Sequence, residues 1–209
     1  MISSNFKTLT CLGCELKCDY TNSELFHDFK CDDKKRVVWP DDNYYFKFAV
    51  DEVIFKKYKC YLDHGVIIVD FSIYHLSLFL DDAWVDFLSR TELKVILIAG
   101  RRMLPLANFW AQKAGLNWFV VSNHGSLDEH LTYISRILRI TKVKSSKHPS
   151  LNDNEMNTLR LMKKGCSNYD IAERLRCNIR DVYRLQHALR KKMCSTHLCR
   201  DILFKQTLP

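Results

Sequence analysis

Glycine and proline are scarce in this chain, at 6 and 4 of 209 residues. So little of either excludes a collagen-like rod and a linker-dominated protein, and 47% hydrophobic positions exclude a disordered tail. Long apolar runs are missing too. None approaches the roughly 20 residues that a membrane helix needs, and the opening MISSNFKTLTCLGC lacks the basic-then-apolar order of a secretory signal. The expectation is a cytoplasmic chain that does not engage a membrane. Catalytic signatures are also wanting: there is no phosphate-binding glycine loop, zinc-protease helix or nucleophile elbow. Neither an enzyme nor a bound cofactor is expected.

What is present is an uneven charge. Residues 1–140 hold 17 Lys and Arg against 18 Asp and Glu, whereas residues 141–209 hold 15 against 6. The whole basic excess lies in the last third, and a compact basic unit joined to a neutral one points to a polyanion, nucleic acid ahead of a membrane surface.

Nine cysteines without a signal segment point to reduced thiols. Cys60, Cys166, Cys177, Cys194 and Cys199 are scattered among apolar positions, where a free thiol acts as a small hydrophobe. Cys11, Cys14, Cys18 and Cys31 cluster in a C-x2-C-x3-C-x12-C spacing. Two thiolates two residues apart are able to grip zinc or an iron-sulfur cluster, which would make a metal or thiol sensor. The second half of the pattern is irregular, and free thiols in an N-terminal arm over residues 1–33 are the plainer alternative.

Residues 141–150, TKVKSSKHPS, have the composition of an exposed linker and divide the chain. In the block 34–140, RVVW (36–39), VIIVDF (66–71), KVILIA (94–99) and WFVVS (118–122) are short β-branched or aromatic runs that predict strands. Helical patterns fall at 44–57, 76–89, 103–114 and 126–139. Strands alternating with helices predict an α/β unit with a parallel sheet.

The block 151–209 reads as all-helical. Asn152, Ser167 and Asn178 each precede an apolar periodicity and each has an acidic residue three positions on, the pattern of a helix N-cap. Gly165 falls where the first of these helices must stop. The predicted helices are 153–163, 168–176 and 179–192, with a fourth at 197–205. The tight turn between the second and third makes a helix-turn-helix and leaves the third protruding, as a helix that enters the major groove must. Val182, Leu185, Leu189 and Met193 form its expected buried stripe. Arg180, Tyr183, Arg184, His187 and Lys191 lie opposite, donors able to reach phosphates or base edges.

Residues 151–193 resemble the LuxR/GerE-type helix-turn-helix of bacterial transcription regulators, through Leu151, Glu155, Leu159, Gly165, Ser167, Asn168, Ile171, Ala172, Leu175, Val182, Lys192 and Met193. The resemblance implies that Tyr183, Arg184 and His187 face bases. It sets Ser167, Asn168, Arg180, Lys191 and Lys192 among the DNA-contacting positions and makes the fourth helix a dimerisation element. Asp181, Leu185 and Ala188 depart from the family pattern and imply altered contacts. The α/β block resembles a degenerate response-regulator receiver domain: Asp41 and Asp42 follow the first strand, and Asp70 closes the second at the position of the phosphorylated aspartate. Ala99 and Ser122 replace the partners that phosphoryl transfer relies on, which argues against phosphorylation of Asp70. More closely, RVVWPDDNYYFKF, LSLFLDDAWVDFL and KVILIAGRRMLPLANFW are similar to the EcpR/MatA fimbrial-operon regulators, with the early CLGC outside that pattern. The expectation is a sequence-specific DNA-binding regulator, an activator of a fimbrial or other surface-structure operon, acting as a homodimer. The alternative is a module that forms heterodimers with a related LuxR-type regulator and binds little DNA itself.

Overall fold

A computed structural model describes residues 9–13, 35–58, 65–139 and 149–195. Four strands, β1 (Arg36–Trp39), β2 (Val66–Phe71), β3 (Lys94–Ala99) and β4 (Trp118–Ser122), form one parallel sheet in sequential order. Its strands are apolar on both faces because helices cover both, as parallel sheets require. Alternate residues divide between two cores. Val38, Ile68, Ile96, Phe119 and Val121 pack with α1 (Tyr44–Val50) and α5 (Leu127–Arg139). Val37, Trp39, Ile67, Val69, Phe71, Val95 and Leu97 pack with α2 (Leu76–Phe79), α3 (Ala83–Ser89) and α4 (Leu104–Ala114).

Two helices differ from their sequence patterns. The helix expected at 44–57 is α-helical only to Val50 and continues as a π-helical turn over Asp51–Phe55. The helix expected at 76–89 breaks at Leu80–Asp82 into α2 and α3. There the Asp81 carboxylate accepts from the backbone N–H groups of Asp82 (2.7 Å) and Ala83 (3.2 Å), a local side-chain turn that leads into α3. Those bonds, with Ala83 foremost, hold the Asp81 pKa below its ordinary value.

Residues 9–13 also pack against the sheet. Leu9 and Cys11 are buried, Cys11 makes an antiparallel bridge with Val37, and the Leu12 amide donates to the Arg36 carbonyl at 2.7 Å. This part of the N-terminal arm therefore belongs to the edge of the α/β unit.

The last third adds α6 (Asp153–Lys163), α7 (Asn168–Leu175) and α8 (Ile179–Lys192). Their apolar faces join the α4 side of the sheet in one continuous cluster through Leu151, Met156, Leu159, Met162, Val182 and Leu189. Helix α4 is the shared wall, and every residue from Leu104 to Trp110 is buried. The Leu151 amide donates to the Pro105 carbonyl at 3.1 Å, and the Asn108 amide to the Pro149 carbonyl at 3.2 Å. Arg160 of α6 donates to the Leu80 carbonyl at 2.6 Å while its guanidinium stands over the Trp110 ring at 5.7 Å. The expected helix at 197–205 and linker residues 141–148 lie outside the described residues.

Candidate nucleic-acid interface

Helices α6 and α7 begin with reciprocal capping boxes. Asn152 Oδ1 accepts from the Glu155 amide and Glu155 Oε2 from the Asn152 amide, each at 2.8 Å. Ser167 and Asp170 repeat the exchange, which satisfies two of the orphan N–H groups at each helix start. The same Ser167 bonds lower the Asp170 pKa. Helix α8 has half of the device: Asn178 Oδ1 accepts from the Asp181 amide at 2.9 Å, while the Asp181 carboxylate turns to Arg184 at 3.4 Å.

The helix ends are equally local. Gly165 at φ 76° passes the Cys166 amide back to the Leu161 carbonyl and its own to Met162, a Schellman ending. Arg176 at φ 52° does the same for α7, with the Cys177 amide bonded to Ala172. Only Cys177 and the Asn178 cap then separate this left-handed residue from α8.

Helix α8 turns Val182, Gln186, Leu189 and Met193 inward. Gln186 takes the buried place that periodicity gave to Leu185, which is half-buried. It is tolerated there because its Nε2 donates to Asn168 Oδ1 at 2.7 Å, joining α8 to the start of α7. Asn168 is thus partly committed to the fold. Arg180, Tyr183, Arg184, His187 and Lys191 are exposed together along the outer side. Tyr183 is 56% exposed, far more than an aromatic packed into a core. Arg190, passed over in the sequence, is exposed beside them, seven residues from Tyr183 and three from His187. Ser167 is exposed at the entrance to α7.

Lys192 does not belong to this face. Its ammonium donates to Glu155 Oε2 at 2.7 Å and to the Ser150 carbonyl at 2.8 Å, fastening the end of α8 to the α6 cap. Glu155 is 2% exposed, and a carboxylate so buried requires such a partner. Lys192, matched to a DNA-contacting position in the sequence, thus has a packing role in the structure.

In the α/β unit, Asp70 is 4% exposed at the C-terminal end of β2. Its carboxylate accepts from Asn43 Nδ2 at 2.7 Å and lies 3.5 Å from His75 Nε2, which is 3.7 Å from Asp42. Burial pushes the Asp70 pKa up, but the His75 imidazole and the Asn43 amide beside it outweigh this and the net shift is downward. Asp41 pairs with Lys47. Asp70 and Asp41 at this end of the sheet are thus engaged by the chain's own donors. Of the cysteine cluster, Cys14, Cys18 and Cys31 lie outside the described residues, and Cys11 Sγ accepts from the Gly13 amide at 3.3 Å. Among the described residues no helix is long and apolar enough to cross a membrane.

Compared with known proteins, the EcpR N-terminal domain family matches residues 10–138. The match begins at the bridge to β1 and takes in the CLGC segment, which the sequence pattern had set apart. The uncharacterized protein YqeH of Escherichia coli (strain K12) is 30% identical over 192 residues, spanning 92% of this chain and 91% of that protein. Among solved structures, full-length FixJ from B. japonicum aligns over 83% of this chain and 97% of its own at 16% identity, with a TM-score of 0.35. With more than half of its length matched, from the β1 bridge to the last turn of α5, the chain belongs to the EcpR N-terminal domain family.

Proposed function

We propose that the protein is a sequence-specific DNA-binding transcription regulator that reads the major groove with α8. The observation that carries this reading is the outer side of α8, where Arg180, Tyr183, Arg184, His187, Arg190 and Lys191 are exposed together at the head of a two-residue turn. The basic surplus of residues 141–209 adds the sequence-independent attraction to phosphate that such a helix needs. Tyr183, Arg184 and His187 sample base edges, while Arg180, Arg190 and Lys191 neutralise phosphates and hold register. As a homodimer the protein reads two half-sites about one helical turn apart. By its similarity to the EcpR/MatA regulators, the regulated operon encodes fimbriae or another surface structure, and the effect is activation.

Genome-wide binding of the tagged protein beside its Arg184→Ala/His187→Ala form tests the proposal. Discrete promoter peaks that vanish in the double variant are expected. Asp181 favours a second reading, because it adds a carboxylate to the DNA-facing side and holds Arg184. In that reading the protein binds DNA chiefly as a heterodimer with a related regulator, and peaks that persist in the double variant would support it.

A further inference from the structure

A cleft of about 640 Å³ lies between the C-terminal end of the sheet and the last turns of α8. Leu104, Pro105, Pro149 and Ala188 give it apolar walls. Arg101 and His124 reach it from the α/β unit and Lys191 from α8, and among the described residues no Asp or Glu lines it. Lys192 also lines the cleft, but its charge is already matched by Glu155. No carboxylate among the described residues pairs with Arg101 or Lys191. Its size is that of a pocket for a drug-sized molecule, and apolar walls with a few convergent polar groups are what such pockets present.

We infer that this cleft binds a small amphipathic anion, an apolar body carrying a carboxylate or phosphate headgroup. The headgroup lies against Arg101 and Lys191, where two cations face a shared space with no counter-charge among the described residues, and the body covers Leu104, Pro105 and Ala188. A DNA backbone is a poorer occupant because it has no apolar part to offer these walls. The floor is rigid, since Pro105 and Pro149 are tied into the Leu151 and Asn108 hydrogen bonds. The occupant bridges the α/β unit and α8, so on the DNA-binding reading above, and only there, it alters DNA affinity and DNA alters its affinity by the same factor.

Isothermal titration of the full chain without DNA, using octanoate, octyl phosphate and uncharged octanamide as probes, tests the site independently of DNA binding. Either or both anions are expected to bind, whichever headgroup fits, with octanamide at least about tenfold weaker, the worth of one charged hydrogen bond. Arg101→Met and Lys191→Met should each weaken the anions by a similar factor, and Ala188→Trp should abolish binding by filling the cleft. Arg101 and Lys191 are exposed, so their variants keep the wild-type melting profile and carry the test even if Ala188→Trp does not fold. Absence of binding by either anion, equal binding of octanamide, or unchanged anion binding in the Arg101 and Lys191 variants overturns the inference. So does the case in which these variants lose affinity for DNA of every sequence but not for the anions, because the cations then serve phosphates.

Discussion

Arg184 and Lys191 share one helix face but should fail differently. On the proposed function, Arg184→Ala costs roughly 1–3 kcal/mol of discrimination at one base pair, whereas Lys191→Ala weakens specific and random DNA alike and lowers the salt slope by about one. Competition binding at several salt concentrations separates them, and equal losses on both DNAs for Arg184→Ala would remove its base-reading role. Lys192 belongs to the fold. Lys192→Met strands the buried Glu155 carboxylate and should cost about 2–4 kcal/mol in denaturant unfolding, with Glu155→Gln in the same chain restoring part of it. Asp70 predicts a pH dependence. Its pKa is lowered by folding, so its contribution is fully present above the ordinary aspartate value near 4 and is lost as pH falls through the lower folded value. The stability gap between wild type and Asp70→Asn should therefore narrow as pH falls below about 4. A gap that widens in that range contradicts the assigned direction.

At the scale of elements, the caps were legible because they are local: a side-chain oxygen and the amide three residues on need nothing from the rest of the fold. Asn152→Ala should cost about 1 kcal/mol by removing one such bond, measurable as a shifted urea midpoint at unchanged slope. Gly165 was legible for the same reason. Leu185 and Gln186 were not. Periodicity assigns the buried stripe by hydrophobicity, but the amide of Gln186 is satisfied by Asn168, 18 residues away, and no local pattern contains that partner. The break between α2 and α3 escaped likewise, because the apolar spacing runs through it while the Asp81 carboxylate turns the backbone just before α3.

The whole molecule is held together by α4. PLANFW ends one of the runs similar to the EcpR/MatA regulators, and in the structure it forms the helix that serves the sheet on one side and residues 149–160 on the other. Because the buried cluster runs unbroken from β1 to α8, calorimetry should show a single unfolding transition whose calorimetric and van't Hoff enthalpies agree. Two resolved transitions would mean that the α4 contacts are too weak to couple the two units. Trp110→Ala removes the ring that Arg160 covers and should cost about 3–5 kcal/mol, lowering the melting of both units together.

Strand positions, helix caps, the basic last third and the donors along α8 follow from the sequence, because each depends on nearest neighbours or on composition. The tertiary structure decided which charges are used up and which are left. Lys192 and Lys191 are adjacent in sequence and alike in chemistry. One is consumed by Glu155, 37 residues away, and the other stands at the cleft with Arg101 and His124. That difference comes from the packing of α8 against α6 and the sheet, a long-range contact that no window along the chain contains.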